Sequence, residues 1–441
     1  MNIADFFDLV EWQYFLLIFS LVMAVSIFLF RSCATVFYDP AWLAVLGMTT
    51  SVSLALYLGI VQKQGYIIHL LYIVAAYLMF LLGANLVQWL LRHRLSRKDL
   101  IDFDSPSSIN NISTLRQILV ILQFMLIALL LIRMTTQGLP ILSDDPELAK
   151  VAVNTGGFGL ITRLIGPTLI MSLAIVFLLG GRKMVSKRQM FLMLVPALLV
   201  LLSSGSKGAL FEIIVVYVSA HVFLLGTDSS YRPNLKASFR MVLLTFIMVI
   251  GYAFLVLLIR GGGEASPLEF AIKTFGIRLI AYGDAVFYFF FNELYGQIIF
   301  QPIDYIWQYV LAPILAMMRL IEYPITLGRQ IAIDMFGADM GGPNPTMFVE
   351  GYVYFGAVFG IVYAFLIGVL FQGLRRSFLM MQRKFNAWHY LWFSIFFALA
   401  VETPSDMVLF FGDLVNSFMA MSIVWFAHQM RHVVYYASKA I

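Results

Sequence analysis

One acidic residue of this 441-residue chain stands where an ionisable side chain is costly. Glu350 follows the segment FGADMGGPNPTM, whose glycines, prolines and asparagine predict an ordered turn, and it lies about one helical turn inside an apolar run. A carboxylate at such a place usually faces a cavity or pairs with an arginine. Glu350 can therefore act as a general base, position an acceptor hydroxyl, or form a structural ion pair.

A second motif combines small residues with a cation. The residues SSGSKGAL around Lys207 permit a tight turn, and successive backbone N–H groups before a helix can hold a phosphate. The motif is not a Walker loop, because its glycine spacing is shorter and no Ser or Thr follows the lysine. It indicates an anion site of the kind that a lipid-linked phosphate would need.

The composition places these motifs in a membrane protein. The chain is 61% hydrophobic and 12% charged, whereas an average soluble domain has roughly 25% charged residues. Long apolar runs recur along its length, which predicts an all-α polytopic integral membrane protein with a single membrane domain, residues 1–441. The basic residues are scattered through short loops, so no nucleic-acid partner is expected.

Eleven apolar runs have the character of membrane-spanning helices, and most of them have the required length of about 17–25 residues. The predicted spans are 12–30, 41–61, 66–91, 117–132, 160–179, 190–203, 208–226, 241–259, 346–373, 387–401 and 408–426. A hairpin in the segment after residue 259 would raise the number to 12 or 13.

The basic residues orient these spans. Nineteen of the 29 Lys and Arg residues lie in alternate loops, which the positive-inside rule assigns to the cytoplasm. This places the N-terminus outside and the C-terminus in the cytoplasm. The remaining ten lie on the outer side or at its boundary, and they are Lys63, Arg133, Lys150, Arg163, Lys207, Arg260, Lys273, Arg278, Arg319 and Arg329.

Two long segments lie outside in this topology, a first loop at 133–158 and a large loop at 260–345. The large loop contains two apolar, aromatic-rich stretches, which predict helices lying at or dipping into the outer interface. A hairpin of two true spans is the alternative, and it leaves the orientation unchanged.

The reactive groups available on the outer side are few in kind. Cations at a membrane boundary suggest anionic partners, although snorkelling or pairing with an acid such as Glu212 is the alternative. Asp413 lies inside the last span, and we expect it to contribute to helix packing through a hydrogen bond to a partner side chain. The single cysteine, Cys33, excludes cysteine metal clusters, and no histidine lies in the outer loops, since His69 falls inside a span. Outer-face chemistry must therefore use carboxylates, arginines and tyrosines.

These features together resemble the Wzy-type polymerases, which join O-antigen or oligosaccharide repeat units in bacterial inner membranes. The resemblance rests on the span pattern, the arginines of the outer loops, SSGSKGAL, and GGPNPTMFVEGYVYFG, and it covers about residues 117–375. The family turn commonly carries arginine, so Lys207 keeps the charge but loses bidentate geometry. Pro345, Glu350, Gly351 and the YFG ending at 354–356 fit the late family motif.

The resemblance implies a GT-C-like fold and metal-independent inverting glycosyl transfer, with no cofactor, at the periplasmic face of the inner membrane. The donor and acceptor would be glycans on undecaprenyl pyrophosphate, the product O-antigen, capsule or exopolysaccharide, and the partners a chain-length regulator and a flippase. The implied catalytic residues are Glu350, Asp339 and Asp284; those binding pyrophosphate are Lys207, Arg260, Arg278, Arg163 and Arg329; and those binding sugars are Tyr282, Tyr352 and Tyr354.

Two other functions stay open. A lipid-linked glycan transferase resembling the O-antigen ligases would be expected to show a histidine in an outer loop. A transporter or flippase would be expected to carry charged residues at the midplane of several helices.

Overall fold

The fold is known from a computed structural model of the chain. It describes residues 9–34, 39–63, 65–95, 105–136, 138–139, 159–203, 209–228, 231–232, 280–292, 294–337, 342–380 and 385–440, and isolated positions between 236 and 251. Within these ranges the regular structure is helical, and no strand is present.

Eleven helices of the described ranges have ten or more residues. They are α1 (Trp12–Phe30), α2 (Ala41–Leu56), α3 (Ile67–Leu95), α4 (Pro106–Thr136), α5 (Gly159–Gly181), α6 (Lys187–Ser203), α7 (Ala209–Thr227), α8 (Leu327–Phe336), α9 (Thr346–Met380), α10 (Ala387–Leu399) and α11 (Met407–Ala440).

Seven helical segments are long and apolar enough to cross a membrane, which makes the chain a multi-pass membrane protein by length and composition. They are Trp12–Phe30, Ala41–Val61, Ile67–Leu91, Ser108–Thr136, Arg163–Gly181, Thr346–Arg376 and Met407–Arg431. Phe211–Thr227 and Ala387–Leu399 are apolar but shorter.

The described helices coincide with most of the eleven predicted spans. The predicted run 190–203 lies within α6, a helix of 17 residues, whereas 241–259 lies largely outside the described residues. The all-α membrane architecture is therefore shown, while the number eleven stays a prediction.

The chain divides into two compact units. Unit 1 comprises Met1–His93, Gly262–Arg376 and Ala400–Gly412. Unit 2 comprises Arg94–Gly261, Ser377–Leu399 and Asp413–Ile441.

A buried group of hydroxyls joins the first three helices of unit 1. Ser26 Oγ of α1 lies 3.0 Å from Thr49 Oγ1 of α2, and Tyr77 of α3 donates to Ser26 Oγ at 2.7 Å. Such hydrogen bonds between apolar helices stabilise their association where the hydrophobic effect contributes little.

The apolar stretch 280–291 is enclosed in unit 1. Its first turn runs beside α2, because the ring of Tyr282 lies against Gly47, and its last residue reaches the turn before α3, where the ring of Phe291 lies against Gly65. Ser51 Oγ of α2 also donates to the carbonyl oxygen of Tyr282 at 2.8 Å. This stretch thus enters the interior of unit 1 and is not confined to its surface.

The second apolar stretch, 302–317, consists of three consecutive short helical segments. It comprises Pro302–Tyr305, the π-helical Ile306–Leu311 and Ala312–Met317. Sixteen residues of helix extend about 24 Å, which is less than a hydrocarbon core of about 30 Å.

Unit 2 is built around α5. Residues 167–179 of this helix are all buried. Thr168 Oγ1 contacts Met125 Sδ of α4, Phe177 packs edge-on against Tyr217 of α7, and Tyr390 of α10 donates to the carbonyl oxygen of Ala174 at 2.7 Å.

Candidate active site

Glu350 is fully buried in unit 1, and neutral donors surround its carboxylate. Tyr363 Oη donates to Glu350 Oε2 at 2.6 Å, and the backbone N–H of Met407 donates to Oε1 at 3.2 Å. Met407 is the first residue of α11, so the carboxylate also meets the positive end of a helix. Within the described ranges no lysine or arginine forms an ion pair with Glu350. The structural ion pair, one of the three roles left open by the sequence, is thus not observed there.

A sharp reversal in α9 creates this environment. Gly356 has φ 72° and ψ 175°, a conformation that essentially only glycine adopts. A Cβ placed on Gly360 would lie 2.7 Å from the carbonyl oxygen of Gly351, whereas nine residues of straight helix would separate these positions by about 13 Å. The two parts of α9 therefore fold back on each other. Residues 346–355 form a half-helix that carries Glu350, and residues 357–380 form the long helix that carries Tyr363.

Close contacts with α3 set the position of the long helix. A Cβ on Gly83 would lie 2.2 Å from the carbonyl oxygen of Phe365, and one on Gly368 would lie 2.1 Å from that of Phe80. Only glycine permits such an approach of two helix backbones. The predicted span 346–373 is found as the apolar helical segment Thr346–Arg376, but Gly356 divides it, and its first ten residues belong to the half-helix.

The turn before Glu350 is hydrogen-bonded to the turn between α10 and α11. The backbone N–H of Thr346 donates to the carbonyl oxygen of Ser405 at 2.9 Å, and that of Met347 donates to Pro404 at 3.0 Å. These bonds satisfy donors at the start of the half-helix. Thr346 has φ 57°, which is costly for a β-branched residue. Strained residues of this kind cluster at functional sites.

A group of aromatic side chains, which we call the tyrosine cluster, encloses the carboxylate. Its members are Phe300, Tyr305, Tyr309, Tyr354, Phe355 and Tyr363. Tyr305 Oη lies 3.0 Å from Tyr363 Oη, and Tyr354 donates to Gln308 Oε1 at 2.7 Å. Burial, and next the charge of Glu350, raises the pKa of Tyr305, so its hydroxyl keeps its proton.

The π-helical turns of the described residues all lie in unit 1. They are Tyr57–Val61, Phe287–Phe291 and Ile306–Leu311. The third of them carries Gln308 and Tyr309, which contact Tyr354. Single π-helical turns are frequent at functional sites, which favours unit 1 as the place to look for one.

The three predicted catalytic acids have different positions. Glu350 lies at the centre of the tyrosine cluster. Asp284 begins a short helix, and its Oδ1 accepts from the backbone N–H of Ala285 at 2.7 Å. Asp339 lies outside the described residues.

Of the residues predicted to bind pyrophosphate, the structure describes two. Arg329 is half-buried on α8. Its backbone nitrogen lies close to Gly342, since a Cβ added to that glycine would be 2.9 Å away. The start of α8 therefore contacts the turn that precedes Glu350. Arg163 is half-buried in unit 2, where its charge interacts with that of Asp413. Lys207, Arg260 and Arg278 lie outside the described residues.

Asp413 has the hydrogen-bond partner that the packing hypothesis requires, since Asn416 Nδ2 donates to its Oδ1 at 3.1 Å.

The three predicted sugar-binding tyrosines also differ. Tyr352 is half-buried beside Tyr72 and Phe290. Tyr354 is buried, and its ring stacks on Phe300, which fits a structural part of the tyrosine cluster better than an open face for a sugar. Tyr282 is 53% exposed, although its ring edge contacts Gly47.

Sequence reasoning missed His69. The sequence places it inside the span 66–91, which agrees with α3. Because α3 begins at Ile67, His69 lies in the first turn of that helix. It is 3% exposed, and its Nε2 lies 3.3 Å from Tyr352 Oη. A histidine thus contacts the late motif, two residues from Glu350. The signal available in the sequence was its position three residues from the end of a predicted span.

Within the described ranges no group of three or more His, Cys, Asp and Glu side chains is arranged to hold a metal ion. Comparison of the chain with models of protein families, with characterised proteins and with solved structures finds no match. The resemblance to the Wzy-type polymerases therefore stays a prediction from the motifs.

Proposed function

We propose that the protein is a glycosyltransferase that polymerises undecaprenyl-pyrophosphate-linked oligosaccharide repeat units at the periplasmic face of a bacterial inner membrane. The observation that carries the proposal is Glu350, an enclosed carboxylate with hydroxyl and N–H donors and no pairing lysine or arginine in the described ranges. An acid in this setting is free to take up a proton. It also lies in the motif on which the family resemblance rests.

The proposed orientation follows from the positive-inside rule. With the N-terminus in the periplasm, the start of α3, the reversal at Gly356 and the start of α11 all lie toward the periplasm. Glu350 is then near the face at which lipid-linked glycans would be joined.

In the proposed reaction, an acceptor sugar hydroxyl attacks the anomeric carbon of the donor glycan. Glu350 takes the hydroxyl proton, the new C–O glycosidic bond forms, and the bond from the anomeric carbon to the pyrophosphate oxygen breaks. Undecaprenyl pyrophosphate leaves with the electron pair of that bond. Because Glu350 is enclosed, the proposed reaction requires the tyrosine cluster to open to the acceptor.

The leaving pyrophosphate requires positive charge, since the scheme uses no metal and no cofactor. Arg329 and Arg163 are the candidates among the described residues, and Lys207, Arg260 and Arg278 are the others predicted from the sequence. Arginine can bind a phosphate through two parallel hydrogen bonds, and such charge-assisted bonds are about twice as strong as neutral ones.

Deletion of the gene, followed by gel analysis of the surface glycan, tests the function. A polymerase predicts the loss of long chains while single-repeat forms persist. Glu350→Gln should reproduce this loss, with a fall in the rate of chain extension of roughly 10²–10⁴-fold. Glu322→Gln, an exposed acid of the same unit, is the matched control and should leave chain length unchanged. Normal chains in Glu350→Gln at wild-type protein levels would refute the assignment.

A transporter of lipid-linked glycans is the second candidate, because two features resemble the broken helices of transporters. The helix α9 reverses at Gly356, and the irregular turn 400–406 places Thr403 and Pro404 in the interior of unit 1. A transporter predicts that deletion removes even the single-repeat forms from the surface.

A further inference from the structure

A continuous row of hydroxyl groups leads away from Glu350. Tyr363 Oη donates to Glu350 Oε2 at 2.6 Å, and Tyr305 Oη follows 3.0 Å beyond it. Glu350 is fully buried and Tyr363 is buried, whereas Tyr305 is half-buried. The row therefore connects an enclosed carboxylate with a side chain that is partly exposed in unit 1.

The direction of the hydrogen bonds follows from the number of protons. A tyrosine hydroxyl has one hydrogen to donate and two lone pairs that accept. Tyr363 gives its hydrogen to Glu350, so its oxygen accepts from Tyr305. Tyr363 is thus both a donor and an acceptor, and Tyr305 donates to it while the lone pairs of Tyr305 can still accept from water. This is an arrangement along which a proton can pass.

A neighbouring pair of tyrosines does not share this connection. Tyr354 donates to Gln308 Oε1 at 2.7 Å, and Tyr309 Oη lies 3.4 Å from Tyr354 Oη. Neither hydroxyl is hydrogen-bonded to Glu350, although both belong to the tyrosine cluster. The cluster therefore contains its own control for a test of the row.

We propose that Tyr363 and Tyr305 relay protons between Glu350 and the surface of unit 1. This inference rests on the proposed function, in which Glu350 takes one proton from each acceptor hydroxyl. The proton passes from Glu350 to Tyr363 Oη as Tyr363 gives its own proton to Tyr305 Oη, and Tyr305 releases its proton to water. The hydroxyls rotate to donate outward for this release, and Glu350 returns to the carboxylate.

The surroundings of Glu350 explain why a relay is needed. The titratable groups that face it in the described ranges are Tyr72 of α3, Tyr305 and Tyr309 of the segment 302–317, Tyr354 and Tyr363 of α9, and Asp406 of the turn before α11. None of them is a cation, and the only other acid among them is Asp406. A proton taken up by Glu350 must leave along hydroxyls before the next cycle.

Infrared spectroscopy of the purified full-length protein tests the relay without an activity assay. The C=O stretch of protonated Glu350 is identified as the band that Glu350→Gln removes, and its shift after transfer to D2O gives the rate of proton exchange. Tyr363→Phe should slow this exchange by roughly 10²-fold. Tyr305→Phe should slow it by about tenfold, since water can partly replace a half-buried hydroxyl. Tyr309→Phe should leave it within about twofold, because its hydroxyl lies outside the row.

Exchange at the wild-type rate in both Tyr363→Phe and Tyr305→Phe would overturn the relay. So would the absence of a Glu350 band at every pH from about 4 to 9, since the relay requires a carboxyl that takes up a proton. If Tyr363→Phe fails to fold, Tyr305→Phe decides the question. Chain extension by Glu350→Gln is measured separately. If the tyrosine variants slow the exchange but Glu350→Gln polymerises normally, the relay is kept and the proposed function is refuted. If the tyrosine variants exchange normally but Glu350→Gln loses polymerisation, the proposed function is kept and the relay is refuted.

Discussion

Glu350 and Arg375 lie 25 residues apart on α9, and both are fully enclosed in unit 1, but their partners differ in kind. Arg375 forms an ion pair with Asp39, which is also buried, and donates to Gln372 Oε1 at 3.1 Å. Glu350 meets the hydroxyl of Tyr363 and the N–H of Met407. One end of the helix thus holds a compensated charge, and the other holds an acid with neutral partners.

The difference separates a structural role from a chemical one. A buried ion pair fixes the chain, because removing either partner leaves the other charge without compensation. Asp39 precedes α2, so its pair with Arg375 fastens α9 to the loop between α1 and α2. An acid held by hydroxyl donors can gain and lose a proton when those hydroxyls rotate, with no charge left uncompensated. The comparison predicts that the same chemical change costs much more stability at Asp39 than at Glu350.

The largest effect is expected from amide substitution of the two acids. Asp39→Asn should lower the free energy of unfolding by about 3–5 kcal/mol, because the guanidinium of Arg375 loses its counter-charge. Glu350→Gln should lower it by about 1 kcal/mol or less, because the amide oxygen still accepts from Tyr363 and Met407. Thermal unfolding in detergent measures both. Lys187→Ala, an exposed residue of unit 2, controls for the effect of substitution itself. Equal losses of stability in the two amide variants would contradict a structural role for Asp39 that Glu350 lacks.

An intermediate effect is expected at the reversal that places Glu350. Gly356→Ala should cost about 1–3 kcal/mol of stability, because alanine resists the conformation at φ 72° and ψ 175°. It should also reduce chain extension, since Glu350 and Tyr363 lie on opposite sides of the reversal. Gly412→Ala is the matched control: its Cβ would meet no atom within 4 Å, and its φ is not positive. If the two alanine variants have the same unfolding temperature, the reversal is not under conformational strain.

The smallest effect concerns reactivity at the Arg375 end and leaves the fold unchanged. Burial raises the pKa of the Cys33 thiol from 9.0 to about 11. The thiol therefore keeps its proton at pH 8, and the thiolate fraction is about a hundredfold lower than at the ordinary pKa. Maleimide labelling should be slower in the folded protein by about this factor and should recover in denaturant. Rapid labelling of the folded protein would show that the Cys33 thiol is accessible and not buried.

The sequence predicted the helices better than it predicted how they are arranged. Apolar runs of about 20 residues are a local signal, so spans such as Trp12–Phe30 and Ile67–Leu91 are confirmed as helices able to cross a membrane. The motif around Glu350 was equally visible, because glycine, proline and an acid are unusual beside an apolar run.

The reversal at Gly356 was not predictable in the same way, since glycine is common in membrane helices and the apolar pattern continues through it. The pair of Asp39 and Arg375 joins residues 336 positions apart in the chain. The row from Glu350 to Tyr305 likewise depends on contacts between distant residues. Such partners are set by packing and leave no local pattern.

The half-helix also makes the site sensitive to the length of the chain. Five residues, 351–355, separate Glu350 from the reversal at Gly356, and this interval acts as a spacer of fixed register. Inserting one residue would rotate the carboxyl by about 100° and shift it by about 1.5 Å, away from Tyr363 and Met407. Many substitutions within 351–355 keep that register, whereas a single insertion or deletion destroys it. Natural variation in this interval should therefore change side chains and conserve the number of residues.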